Sequence, residues 1–353
     1  MRFTTKSIDC LSSSSFWLPN KIVPSAWIEH APFAFWLMDA MLPSCLVELG
    51  THHGFSYLTF CQAVKQLEIK SVCYAIDSWK GDEHAGFYGE EVFAELKAYH
   101  DKLYSSFSTL IRSTFEDCCN NFQEGSIDVL HLDGRHFYED VKHDVGMWLP
   151  KCSNKAILLL HDTQVRERGF GVWKVWQALS SQYKSFEFPH GHGLGVVAVG
   201  PNVTERIEPL FSANEREVHQ IRSIYARLGA AISTDFELSS NKIELEKRKI
   251  ELEQKSSENV SLNNKSRSIK RELESTRALL LNNELTRTQL IADLKLAEAR
   301  IAELNLEKTQ LLSDLVMARK KNASIIESTS WKITAPGRWF SKQLKLTRHK
   351  WGV

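Results

Sequence analysis

Several apolar runs of this chain end in residues that could do chemistry. "LVELG" carries Glu48, "YAID" ends at Asp77, "LHLD" at Asp133, and "LLLHD" at His161 and Asp162. Carboxylates and imidazoles hold cations, pair with polar ligands and carry protons, so such residues at matching places suit a small-molecule cleft. Any one of them is as readily a helix cap or a turn former. The longer stretch "LVELGTHHGFSYLTFCQAV", Leu46 to Val64, places Glu48-x-Gly50-x-x-x-Gly54 between an apolar run and a helical pattern. It lacks the G-x-G-x-x-G of a dinucleotide fold and the G-K-[ST] of a phosphate loop, which argues against a pyrophosphate or triphosphate ligand. A cationic sulfonium ligand with an amino-acid tail suits backbone turns plus carboxylates better.

The elements that must position these residues alternate. "CLVELG", "VCYAID", "STLIRS", "IDVLHLD" and "AILLLHD" read as strands, and the segments between them have helical spacing. That alternation predicts a parallel sheet covered on both faces. "KSFEFPHGHGLGVVAVG" predicts a closing antiparallel hairpin with a Gly-His turn. Ligands of such sheets lie beyond the carboxyl ends of the strands, where the strand order switches. Upstream, "PSAWIEHAPFAFWLMDAML" predicts an apolar helix capped by Ser25, with Trp27 and Trp36 serving as core or lid.

Composition sets the outer limits. Of 353 residues, 43% are apolar and 25% charged, as in a protein with a substantial core, and the net charge is +1. No overall field points to nucleic acid. No apolar run is long enough to span a bilayer, and the N-terminal stretch lacks a signal-peptide core. Seven cysteines without a C-x-x-C pair fit scattered core thiols in a reducing compartment, so the chain reads as cytoplasmic.

The grammar changes near Thr234. Between Asp235 and Glu327 there is neither Gly nor Pro. From Leu290 a heptad seam runs through Leu294, Ala297, Ile301, Leu304, Lys308, Leu311, Leu315 and Ala318. A self-associating coiled coil is the expectation, against a single solvated helix or partial disorder; upstream of Leu281 the seam reads as less regular. The expected organisation is an extension (1–23), a sheet domain (24–200), a helical linker (201–234), a coiled coil (235–327) and a basic aromatic tail (328–353). The tail holds six Lys/Arg, three Trp and no acidic residue, which suits an anionic membrane surface. A disordered solubilising tail is the alternative.

From about Pro24 to Gly200 the chain resembles the class I S-adenosylmethionine-dependent methyltransferases. The likeness is to a bacterial subgroup often encoded with, or fused to, surface-polysaccharide glycosyltransferases. It is carried by "LVELGTHHGFSY", "AIDSWKGDEHAGFYGEEVF", "VLHLDGRHFYEDVKHDVGMWLPK", "FGVWKVWQAL" and "HGHGLGVVAVG". The "SWKITAP" run of the tail resembles a segment that follows coiled coils in such glycosyltransferases. The resemblance implies a Rossmann-like α/β fold with a mostly parallel seven-stranded sheet and a C-terminal antiparallel hairpin. It also implies that Gly50 and Gly54 admit the cofactor's methionine portion, and that Glu48 orients its amino group directly or through water. Asp77 would accept the ribose hydroxyls, Ser113 and Thr114 would flank the adenine, and Asp133 would lie beside the reacting methyl.

A sugar hydroxyl is weakly acidic, so a base or a metal helps it react. His136 is the chosen base, with Asp133 adjacent; the alternative is that His136 only caps the next helix. Related O-methyltransferases hold a divalent cation with acidic residues after the fourth and fifth strands, here Asp133 and Asp162. His161 stands where a second carboxylate is expected, and Arg135 replaces an Asp, which weakens the case for Mg2+. A zinc site from His131, Asp133, His136 and His161 has suitable ligand types but matches no established spacing. His84, His190 and His192 are expected on loops over the cleft. The favoured function is O-methylation of a sugar in a cell-surface glycan or its lipid-linked precursor. The alternative is an inactive scaffold whose coil organises polysaccharide enzymes. Expected partners are the glycan acceptor, a second copy of the chain, a glycosyltransferase and the inner face of the membrane, with no nucleic acid.

Overall fold

A computed structural model describes residues 8–282 and 287–327; the basic tail lies outside the described residues. The chain divides into two compact units, Met1–Ser233 and Thr234–Val353. In chain order, turns of 3-10 helix at Ser13–Phe16 and Ile28–His30 precede helix α1 (Ala31–Met41). Then come β1 (Cys45–Leu49), α2 (Phe55–Gln66), β2 (Val72–Asp77), β3 (Gly81–Asp82), β4 (Gly86–Phe87) and α3 (Glu90–Leu103). They are followed by β5 (Ser108–Arg112), α4 (Phe115–Cys119), β6 (Ile127–Leu132), α5 (Tyr138–Trp148) and β7 (Cys152–His161). The last elements are α6 (Val172–Ser180), β8 (Lys184–Phe188), β9 (Leu194–Ala198), α7 (Glu208–Phe211), α8 (Glu215–Asn282) and α9 (Arg287–Glu327).

Seven strands form one sheet in the order β5-β2-β1-β6-β7-β9-β8. The first five are mutually parallel, while β9 runs antiparallel to both β7 and β8. This is the Rossmann-like methyltransferase fold that the resemblance implied, with the parallel strands and closing hairpin that the strand pattern predicted. β1 is wholly buried, as is β6, because helices cover both faces of a parallel sheet. Their residues are therefore continuously apolar apart from Glu48, Asp128 and His131, each of which has a hydrogen-bond partner.

The N-terminal segment differs in detail from its expected form. Ser25 accepts a hydrogen bond from the Trp27 amide only two residues on, which closes a local turn and does not cap the α-helix. The helix proper starts at Ala31, with Pro32 in the first turn where its missing N–H costs nothing.

In the second unit α9 runs back along α8: Lys255 pairs with Asp314 at 3.6 Å, and Arg277 with Glu298 at 3.1 Å. The expected seam from Leu290 to Ala318 is buried or half-buried, and Asp314 alone among the other described residues of that span is as sheltered. The seam facing it on α8 keeps the same three-four spacing from Leu238 to Thr276. Its members include Asn241, Arg248, Lys255, Asn259 and Ser266, and so a reading by hydrophobicity finds it irregular. Lys and Arg shelter their methylene stems there while their charged ends reach water.

The strand ends at the sheet's switch point meet with no spare room. Gly50 has φ +86°, and a Cβ added there would lie 2.1 Å from the Asp133 carbonyl oxygen. Replacing Gly50 by Ala combines left-handed strain with overpacking against main chain. The expected loss is about 2–5 kcal/mol of stability, read as a fall in the urea midpoint.

Candidate functional site

The carboxyl ends of β1, β2, β5, β6 and β7 open onto a cavity of about 480 Å³, within the usual size of a small-molecule site. Gly50, Gly54, Asp77, Ser113, Thr114, Asp133, His136 and Asp162 all line it, so one wall gathers nearly every residue singled out in the sequence. Glu48, His131 and His190 do not line it. Glu48 is completely buried, beneath the cavity floor.

Glu48 belongs to a buried polar row. The Trp27 indole N–H donates to His131 Nε2 at 3.1 Å, and His131 Nδ1 lies 2.8 Å from Glu48 Oε2. Indole only donates, so Nε2 must accept and the ring is the Nδ1–H tautomer, donating to Glu48. The second oxygen, Glu48 Oε1, has no hydrogen-bond partner, nor has the buried hydroxyl of Thr51 in the glycine loop. Burial raises the Glu48 carboxyl above its ordinary range, and the hydrogen bond from His131 opposes this. His131 thus faces Trp27 and Glu48, away from Asp133, and the four-residue zinc set of the sequence reading is not assembled.

Asp77 ends β2 as expected, but its carboxylate is already engaged. Oδ2 accepts the Thr51 and His52 amides at 2.8 and 2.9 Å, and Oδ1 accepts the Trp79 amide at 2.7 Å. It therefore shapes the glycine loop, and only Oδ1 keeps an uncommitted lone pair toward the cavity. Thr114 likewise spends its hydroxyl as the N-cap of α4, accepting from the Asp117 amide at 3.2 Å.

The chemistry gathers at the ends of β6 and β7. His136 Nε2 lies 2.9 Å from Asp162 Oδ2 and 3.5 Å from Asp133 Oδ1. His161 Nδ1 lies 3.2 Å from the same Asp133 oxygen, while its Nε2 donates to the Gly191 carbonyl at 3.0 Å. A ring that donates from Nε2 and also faces a carboxylate with Nδ1 is an imidazolium. Burial lowers both histidines, but the two aspartates outweigh it and hold each at about 9. Burial pushes Asp133 up, and the positive charge of His161 with the hydrogen bonds of both rings more than reverses this. The reading of His136 as a helix cap fails: the cap of α5 is Phe137, with no side-chain bond.

A second hairpin, β3-β4, forms one rim. His84 Nε2 donates to the Arg168 carbonyl at 2.8 Å, and Arg168 Nη2 donates back to the His84 carbonyl at 2.9 Å. The His84 ring packs on Phe137 and Phe170, and Phe170 in turn stacks on His136 with centroids 4.5 Å apart. His84 and His192 line the cavity; His190 does not, lying against His30 and Phe188 behind it. Sequence reasoning missed Trp27 as the partner of His131, because nothing local marks an indole as polar-bonded. It also passed over Asp82, whose Asx-type bonds to the His84 and Ala85 amides were legible in "GDEHAG".

Against this geometry stand the known proteins. Residues 47–163 match the family model Methyltransf_24, a methyltransferase domain. A curated relative from Sinorhizobium fredii, the uncharacterized protein y4gI, is 48% identical over 200 residues, which cover 57% of this chain. The chain spans only 22% of that relative's length. Among solved structures, the SAH-bound Podospora anserina methyltransferase PaMTH1 is 15% identical at a TM-score of 0.38, covering 56% of this chain and 97% of that one. The O-methyltransferase TomG of Streptomyces achromogenes, solved with SAM, is 12% identical at a TM-score of 0.38, covering 57% and 91%.

The charged cluster makes stability depend on pH. His136 and His161 are raised from an unfolded value of about 6.5 to about 9. Their contribution is therefore complete below pH ~6.5 and is lost as pH rises through ~9. The urea midpoint should fall between pH 7 and 9, and the double variant His136→Gln, His161→Gln should flatten that fall.

Proposed function

We propose that this chain is an S-adenosylmethionine-dependent O-methyltransferase acting on a sugar hydroxyl of a cell-surface polysaccharide or its lipid-linked precursor. The observation that carries the reading is the convergence on one cavity of the glycine loop, Asp77 and a histidine bridged by two aspartates. When bound, S-adenosylmethionine supplies a methyl group activated by its sulfonium charge. The residues present fit it. The loop from Gly50 to Gly54 lines the cavity, and the unpartnered Thr51 hydroxyl and Glu48 Oε1 are hydrogen-bonding capacity left open around that loop. Glu48 would act from beneath the floor, through water. The sugar acceptor rests on the resemblance to polysaccharide-associated methyltransferases and on the aromatic wall of Phe170 and His84, which suits the apolar face of a pyranose.

In this reading His136 takes the acceptor's proton at Nε2. Asp133 and Asp162 orient the ring and stabilise the imidazolium that results, while Phe170 fixes its plane. Because the two carboxylates hold His136 at about 9, the free base is scarce at neutral pH and turnover rises toward pH ~9.

A second reading is favoured by one further observation. One ligand atom each of Asp133, His136 and Asp162 lie within 4.8 Å of one another, a spacing that could hold a divalent cation such as Mg2+. Such an ion would supply Lewis acidity, with His136 then a ligand and not a base. The inactive scaffold is the alternative to this proposal; self-association, a glycosyltransferase partner and membrane contact through residues 328–353 stand as further parts of it. Exposed Leu296, Leu306 and Met317 on α9 support a partner for the helical arm. Among the described residues no helix is long and apolar enough to cross a membrane.

Calorimetry with S-adenosylmethionine tests cofactor binding; folded protein that binds none returns the scaffold. Transfer of labelled methyl to surface glycan from a strain lacking this protein tests the rest. His136→Ala should keep cofactor affinity and lose turnover by about 10²–10⁴. Loss of activity on chelation, restored by Mg2+, would instead select the cation.

A further inference from the structure

The helical arm carries cations that its own pairing leaves open. On α8, Arg248 is bonded to Glu244 and Glu251, Lys249 to Glu246, and Lys255 to Asp314. Toward its end α9 has no such balance. From Lys308 to Ile326 its one acidic residue is Asp314, already engaged by Lys255. Arg319, Lys320 and Lys321 are exposed, and none of them pairs with a carboxylate among the described residues.

Apolar side chains accompany these cations. Leu312, Val316 and Met317 are 41%, 50% and 64% exposed. Leu312, Val316, Arg319 and Lys320 stand at i, i+4, i+7 and i+8, so they share one face of the helix. The buried or half-buried residues of this span that mark the seam, Leu311, Leu315 and Ala318, lie on the other side. Met317, Lys320 and Lys321 carry the patch round to a groove of about 500 Å³ shared with Arg248, Glu251 and Lys255 of α8. One exposed Leu is ordinary. Three apolar side chains beside three unpaired cations make the composition of a helix that lies on an anionic bilayer.

Charge decides between the occupants of this face. A second copy packed through the same span would bring no unpaired carboxylate to the cations. Phospholipid headgroups supply the missing negative charge, and the boundary beneath them takes apolar side chains. The sequence continues in the same composition, for residues 328–353 hold six Lys/Arg, three Trp and no acidic residue. We propose that α9 from Leu312 to Lys321 docks on an anionic phospholipid surface. Leu312, Val316 and Met317 enter the headgroup boundary, while Arg319, Lys320 and Lys321 rest against lipid phosphates. This deepens the membrane contact proposed for residues 328–353 and rests on that reading, but through residues of its own.

The test uses the full chain with vesicles of phosphatidylglycerol and phosphatidylcholine, and with phosphatidylcholine alone as the neutral control. The parent chain should sediment with the anionic vesicles and stay in solution with the neutral ones. Arg319→Gln with Lys320→Gln should weaken that binding by about 25-fold, at roughly fivefold for each cation near such a surface. Leu312→Gln with Val316→Gln should weaken it too, although no charge changes. All four positions are exposed, so circular dichroism should show the parent's helix content in both variants. A chain with the six Lys/Arg of residues 328–353 changed to Gln separates the tail from the arm. It should keep part of the binding and lose that part when Arg319→Gln and Lys320→Gln are added; full retention would refute the tail contact and leave the arm's. Either α9 variant binding as well as the parent would overturn the proposal and leave the tail as the whole contact. A parent chain indifferent to anionic vesicles would also overturn it and return the face to an acidic protein. So would an α9 variant of lower mass in sedimentation equilibrium, which would assign the face to a second copy.

Discussion

The site depends on one backbone-to-backbone contact, Gly50 against the Asp133 carbonyl. β1 lies between β2 and β6, and at their carboxyl ends the chain must leave in opposite directions. Main chain meets main chain there, with the Asp133 amide bonded to the Leu49 carbonyl and the Gly50 amide to the Ile76 carbonyl. Any side chain at residue 50 would separate the strand ends and move Asp133 from its histidines. The close approach also sends the glycine loop back over β2, where Asp77 collects its amides. One carboxylate with three N–H donors in a buried corner holds the loop better than an apolar contact could, because the bonds are directional and charge-assisted.

The same strand ends carry two electrostatic layers that differ in kind. Beneath the floor, Trp27, His131 and Glu48 form a row in which burial raises the Glu48 carboxyl and the indole dictates the imidazole tautomer. At the floor, two carboxylates and two imidazoles neutralise each other in pairs and remain charged. The difference follows from number. A single buried carboxylate with one neutral partner is costly as an anion, whereas two anions beside two cations compensate each other's lost hydration. The two layers are coupled across the floor, since the negative charge of Asp133 adds to burial in raising the Glu48 carboxyl.

Much of this was legible in the sequence. The strand-ending residues were visible because a parallel sheet is read by apolar runs and ligand sites fall where those runs stop; Asp77, Asp133, His161 and Asp162 were found this way. What a carboxylate does was less legible than where it sits. Asp77 and Thr114 turned out to hold their own loops, since the donors that satisfy them come from backbone amides, which every residue supplies. Glu48 lies one residue inside its strand and so falls below the floor, a distinction that an apolar run cannot resolve. The orientation of His131 depends on Trp27, more than a hundred positions away in the chain, and no local pattern encodes that pairing.

The helical arm makes the same point from the other side. On α9 the seam was clear because apolar residues mark it; on α8 polar residues occupy many of the seam positions and hide it. Asn and Lys at such positions cost stability but restrict which helices, and which registers, can pair. Here a partner is close in sequence: the first helix ends at Asn282 and the second begins at Arg287. A connection this short favours antiparallel neighbours, and the ion pairs of Lys255 with Asp314 and Arg277 with Glu298 set them in one register. Heptad spacing alone states that a seam will be covered. The brevity of the link between the helices decides that the chain covers it with itself, leaving the outer faces for whatever else the arm meets.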